Sequence, residues 1–167
     1  MAKETWKYLN ENTRIQINRI SNLFSTANVL EEGDKTKGLI NFSSIKSADE
    51  VWGPEAKVQI SWEEVEPTQY HQGLKVKETI RMFGEIEVIA TKKENKWHLS
   101  HEMTIWWGNR QQVMHRRFYG SKIMHGIIFC ELTHRLFEIH AICLGNVFPT
   151  YEKTILDIMD SLQCHGS

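Results

Sequence analysis

Proline is scarce in this sequence, with three residues in 167: Pro54, Pro67 and Pro149. No proline-rich linker divides the chain, so one α+β domain spanning 1–167 is expected. Cysteine is equally rare. Cys130, Cys143 and Cys164 are far apart and odd in number, which fits reduced thiols in a cytoplasmic protein better than a disulfide framework. No run approaches the roughly 20 apolar residues needed to cross a bilayer. The opening Met1-Ala2-Lys3-Glu4-Thr5-Trp6 lacks the apolar segment of a signal peptide. Neither charge is in excess: 20 Lys and Arg face 21 Asp and Glu, a net charge of -1. That balance argues against nucleic acid and membranes as general partners. The Gly-x-Ser-x-Gly elbow, the Gly-x-x-x-x-Gly-Lys phosphate loop and the Gly-x-Gly-x-x-Gly fingerprint are also missing, so no catalytic residue and no cofactor is expected.

What is present is a soluble globular composition, 41% hydrophobic and 25% charged, at a length that can bury a core without staples. Trp6 and Tyr8, then Ile15 and Ile17, alternate with polar residues about the turn-like Asn10-Glu11-Asn12-Thr13, the pattern of a hairpin. Glu31-Glu32-Gly33-Asp34 reads as a turn, Leu39 to Phe42 as a short strand, and Asp49 to Gly53 as a loop holding Trp52. Val58, Ile60 and Trp62 form a period-two strand. After Pro67, Val76, Ile80 and Phe83 recur at helical spacing, with Gly84 as the stop.

From Glu85 the period returns to two. Ile86 and Val88 open a strand and Lys93-Glu94-Asn95 is expected to turn. Trp97, Leu99, Met103, Ile105 and Trp107 share one face of a long strand. Gly108-Asn109 and Gly120-Ser121 are expected to turn the chain on either side of a strand from Gln111 to Tyr119. The stretch Ile123 to Leu132 is apolar at both parities, as in a strand covered on both faces. Phe137, Ile139 and Ala141 alternate again. Pro149 then opens a helix carrying Tyr151, Ile155, Ile158 and Leu162 on one face. Short turns between neighbouring strands impose antiparallel pairing. The expected architecture is a mainly antiparallel sheet covered by helices, an α/β/α sandwich.

This order of elements resembles the superfamily of PsbP, the extrinsic photosystem II subunit, and of a small Ran-binding nuclear import factor. The likeness is carried by the hairpin from Trp6 to Ile17, the meander from Trp97 to Cys143, and the terminal helix. The closing Ile158-Met159-Asp160-Ser161-Leu162 is similar to the Ile-x-x-Ser-aromatic ending of that group, with Leu162 in the aromatic position. The resemblance implies a non-enzymatic binding or assembly role. It transfers no functional residue.

Eight histidines invite a test for metal, since imidazole is the commonest ligand. His98 and His101 point to opposite faces of one strand, and His134 and His140 are about 20 Å apart along another, so no metal site is expected from their spacing. Cys130 with His134 or His140 would make a thiol–imidazole pair, but the apolar run Ile127-Ile128-Phe129 favours a structural thiol. From Met103 to Cys130 there is no acidic residue, whereas Asp49 to Glu66 carries six. Arg116 and Arg117 project to opposite faces, so solvated faces or mutual pairing account for the asymmetry better than a nucleic-acid groove. Trp106 has the parity opposite to Trp107, making it the candidate for a surface or pocket wall. A ligand-binding set of Trp106, His101, His115, Arg117 and Tyr119 is therefore named. The expected function is a non-enzymatic domain engaging a protein partner or a small ligand, with homo-oligomerisation through a strand edge as a variant. The alternative is an enzyme or metal- or ligand-binding protein with a His/Trp-lined pocket on the sheet.

Overall fold

Strand pairing begins at once: β1 (Thr5–Asn10) and β2 (Ile15–Ser21) form the expected antiparallel hairpin. Asn10 closes it, its side-chain oxygen accepting from the backbone N–H groups of Asn12 and Thr13. The computed structural model describes residues 4–26, 29–44, 53–84, 86–96, 101–114 and 117–165, and for 94–96, 101, 111–114 and 117–119 the backbone alone. The expected loop at Asp49 to Trp52 and the side chain of Trp97 lie outside the described residues.

Most of the chain enters one seven-stranded sheet in the order β3-β4-β5-β9-β8-β7-β6. Its strands are β3 (Leu30–Gly33), β4 (Lys37–Ser43), β5 (Ala56–Glu64), β6 (Glu87–Lys96), β7 (His101–Met114), β8 (Arg117–Cys130) and β9 (Arg135–Leu144). Every pairing is antiparallel. Several expected turns are strand instead. Glu31 to Gly33 pair with β4, and Lys93 to Asn95 continue β6 opposite Thr104 to Glu102. Gly108-Asn109 lies within β7 and Gly120-Ser121 within β8, facing Ile123 and Lys122, and Gln111 and Arg110. Glycine marks close approach there: a Cβ at Gly108 would meet Ile86 Cδ1 at 2.7 Å.

The two helices are α1 (Gln72–Met82) and α2 (Phe148–Ser161). His71 caps α1 by accepting from the Leu74 N–H, and Gly84, at φ +66°, follows its end. A short 3₁₀ turn at Pro67–Gln69 leads into it. Leu162, expected as the last contact of the terminal helix, instead opens the two-residue β10 (Leu162–Gln163), which pairs with β2 through Leu162 and Ile17.

Strand alternation sorts the sheet into two faces. Met103, Ile105, Met124, Ile128, Phe137, Ile139 and Ala141 point to the larger core, which they share with Ile15, Ile17 and Ile20 of the hairpin and Tyr151, Ile155 and Ile158 of α2. Met159 of α2 sits over Gly126, where a Cβ would lie 3.4 Å from its sulfur. Trp106, His125, Ile127, Glu138 and His140 belong to the other face. Over them runs α1, whose Thr79 meets Trp106 and whose Gln72 donates to Thr104 and the Ile127 carbonyl. β8 thus meets Gln72 of α1 at the Ile127 carbonyl and Met159 of α2 at Gly126.

Candidate functional site

Trp106, the candidate for a surface or pocket wall, is fully buried, at 0% exposure. Its face is the one α1 covers. The indole N–H donates to Thr79 Oγ1 at 3.1 Å, Phe83 packs edge-on at 5.4 Å, and the His125 ring stacks at 5.6 Å. Of the other members of the predicted set, His101, Arg117 and Tyr119 have described backbones, and these lie apart along β7 and β8. His101 starts β7, and Tyr119, near the start of β8, lies opposite Gln112 of β7. Eleven residues of extended chain, about 36 Å at 3.3 Å per residue, separate those two ends. Arg117 sits at Tyr119's end, opposite Met114. His115 lies outside the described residues, and of His101, Arg117 and Tyr119 only the backbone is described.

Two histidines not chosen from the sequence meet under the helix. β8 and β9 pair with His125 opposite His140, on the parity of Trp106. Their Nδ1 atoms are 3.4 Å apart, and His125 Nε2 lies 3.3 Å from Glu138 Oε1. Glu138 Oε2 faces Lys75 Nζ of α1 at 3.7 Å. Phe83 stacks on His140 with ring centres 5.0 Å apart. A neutral imidazole has one donor nitrogen and one acceptor. If His125 Nε2–H donates to the carboxylate, its Nδ1 must accept, and His140 Nδ1–H donates to it. The chain runs His140 to His125 to Glu138, with Lys75 at its end.

Burial dominates the electrostatics. It lowers the His140 pKa to about 4, aided by the His125 charge beside it. The Glu138 carboxyl is held below its usual range, chiefly by the hydrogen bond from His125 and also by Lys75. One proton can be shared by the facing Nδ1 atoms, but two would put donors and charges against each other. Glu138 also lines a surface groove of about 420 Å³ with Leu39, Ser61, Trp62 and Leu136. The signal for this cluster was in the sequence, as Glu138 and His140 share a parity, but its partner required the β8–β9 register.

The imidazole that meets the Cys130 thiol is that of His165. His134 ends the β8–β9 turn with φ +59°, and Cys130 Sγ lies 3.4 Å from His165 Nδ1 instead. Cys164 Sγ is 3.3 Å from the same nitrogen. None of the three cysteines is in a disulfide, and all three are buried. Cys143 is in apolar surroundings that push its pKa up to about 12. Among the described residues, Cys130, Cys164 and His165 are the group whose metal-ligating atoms converge.

No protein-family model matches the sequence, and no curated protein is similar to it. Among solved structures, the chain is similar to cyanobacterial PsbP (CyanoP) from Synechocystis sp. PCC 6803. The TM-score is 0.57, covering 95% of this chain and 91% of that one, at 7% identity. The chain has a PsbP-like fold along nearly its whole length, and a likeness at that identity carries the fold alone.

Proposed function

We propose that this PsbP-like fold serves as a non-enzymatic binding or assembly domain that engages a protein partner at the β6 margin of its sheet. The observation that carries this reading is the apolar surface where α1 gives way to β6. Met82 at the helix end is 74% exposed, and Ile89 is 50% exposed. Between Val88 and Ala90 the register against β7 slips by one residue, so Ile89 is the extra residue of a bulge on an edge strand. A bulge re-aims a side chain and twists the edge away from open-ended pairing. That geometry suits docking by a shaped partner surface. Lys92 and Lys93, exposed further along β6, favour a partner that is acidic at that end.

The test is co-purification from the native cell followed by binding measurements with the purified partner. Ile89→Lys is expected to weaken binding by at least tenfold. Leu132→Lys, on a more open side chain at the β8–β9 turn (70% exposed), is expected to leave it unchanged. Equal binding by the two variants would refute the β6 margin. Light scattering distinguishes a second copy of the chain from a different protein.

A small-ligand reading draws support from Glu138, which lines the groove and also accepts from His125. The groove's Glu32, Glu63 and Glu138 against a single Lys37 suit a cationic ligand. Thermal-shift screening with small amines checks it: a stabilising amine must lose its effect in Glu138→Gln.

A further inference from the structure

At the end of the sheet away from the β7–β8 turn, three soft or borderline donors meet. Cys130 closes β8 and stands opposite Arg135, the first residue of β9. Arg135 Nη2 donates to the Cys164 carbonyl at 2.5 Å, and β10 holds Leu162 and Gln163 against β2. These two anchors bring Cys164 and His165 to Cys130. The Cys130 and Cys164 sulfurs lie 3.4 and 3.3 Å from His165 Nδ1, and all three donor atoms fall within 4.8 Å of one another.

Those distances can be compared with what a metal needs. Tetrahedral zinc, with Zn–S about 2.3 Å and Zn–N about 2.05 Å, places sulfur and nitrogen ligands about 3.5 Å apart. The observed separations are within about 0.2 Å of that edge, so a zinc ion fits with minor side-chain adjustment. We propose that Cys130, Cys164 and His165 form a zinc site with three protein ligands and a fourth position for water or an outside ligand.

The surroundings suit that assignment. Arg135 is 3% exposed, and its guanidinium is held by oxygens that carry no formal charge: the Thr13, Lys35 and Cys164 carbonyls and Thr133 Oγ1. A buried cation so placed favours negative charge nearby. Two thiolates neutralise Zn²⁺ and also put sulfur-borne negative charge beside Arg135. At a pH below the thiol range, binding exchanges one Zn²⁺ for two protons: two S–H bonds break, two Zn–S bonds form, and two H⁺ leave to the buffer. Spacing alone hides this group, because Cys130 is distant in the chain from the Cys164-His165 pair.

The tag-free full chain, reduced and stripped with chelator, is titrated with Zn²⁺ against a chromogenic indicator and then with Co²⁺. One equivalent of zinc should bind, with two protons released at a pH below the thiol range. Cobalt should give the intense visible bands of a tetrahedral site and a sulfur-to-metal charge-transfer band. Cys130→Ser and Cys164→Ser should each weaken zinc binding at least a hundredfold, and Cys143→Ser should not. Circular dichroism monitors folding. If a serine variant unfolds, His165→Gln at the half-buried position must show the same loss. Absence of stoichiometric uptake, uptake unaltered in His165→Gln, a cobalt spectrum without the charge-transfer band, or a reduced Cys130–Cys164 pair that takes no zinc overturns the site.

Discussion

Thr79 illustrates how much one hydroxyl settles. Its Oγ1 donates to the Val76 carbonyl at 2.8 Å and accepts the Trp106 indole N–H at 3.1 Å, and both residues are buried. Thr79→Val keeps the shape and leaves the indole N–H without its acceptor. The expected loss is about 1–3 kcal/mol, read from the urea midpoint at constant slope; a change below the error of that measurement would mean the bond contributes nothing. His140 yields a prediction about pH. The unfolded imidazole takes up a proton near its normal 6.5, whereas the folded one resists until about 4. The unfolded state thus binds more protons across that window, and stability must fall as pH drops from 6.5 to 4, by about 3 kcal/mol for this group. Glu138 acts in the same direction: its carboxyl, lowered in the fold, contributes above its unfolded pKa and loses that contribution on further acidification. His140→Phe keeps a ring against Phe83 and should flatten the pH–stability slope above pH 4. An unchanged slope would place the acid sensitivity elsewhere. At this scale the sequence was half legible. Parity assigned Trp106 and His140 to their face, but which neighbour each meets depends on register and on where α1 lies.

A strand can depend on a missing side chain. Gly38 in β4 sits opposite Trp62 of β5, whose indole N–H reaches back to the Asp34 carbonyl at 2.7 Å. A Cβ at Gly38 would come within 2.4 Å of the Trp62 ring and 2.6 Å of the Glu32 carbonyl oxygen. Backbone oxygen and an anchored indole give way poorly, so Gly38→Ala should cost about 1–3 kcal/mol. Near-ultraviolet dichroism should report the displaced tryptophan, and wild-type stability would show that the indole can swing aside. The same property of glycine explains the misplaced turns. Gly108 and Gly120 have turn composition, yet each lies inside a fourteen-residue strand. Gly108 admits Ile86 and Trp106, and Gly120 receives the Gly145 N–H at 2.9 Å where the chain leaves β9 for α2. Local composition cannot separate a turn from a close crossing of distant backbone. The regular elements were readable because their periods repeat: the Val58-Ile60-Trp62 strand, α1 after Pro67, and α2 after Pro149.

On the scale of the whole molecule, Arg135 joins parts of the chain that no single element connects. Its guanidinium reaches the Thr13 carbonyl in the β1–β2 turn at 2.7 Å, the Lys35 carbonyl in the β3–β4 turn at 3.4 Å, and the Cys164 carbonyl beyond β10 at 2.5 Å. Its Nε also donates to Thr133 Oγ1 in the β8–β9 turn at 3.2 Å. The rigid fork of five donors is what allows one side chain to satisfy acceptors in several directions. Lysine has a single ammonium and cannot span them. Arg135→Met fills similar space but leaves those carbonyls without their donor, at an expected cost of about 3 kcal/mol. Arg135→Lys should recover less than half of it. Hydrogen exchange adds a spatial readout: in Arg135→Met the β10–β2 pairing should lose protection more than the α1 amides, because the released Cys164 carbonyl adjoins β10. Uniform loss across both regions would mean that Arg135 supports only global stability, and full rescue by lysine would show that its charge, rather than its reach, holds these segments together.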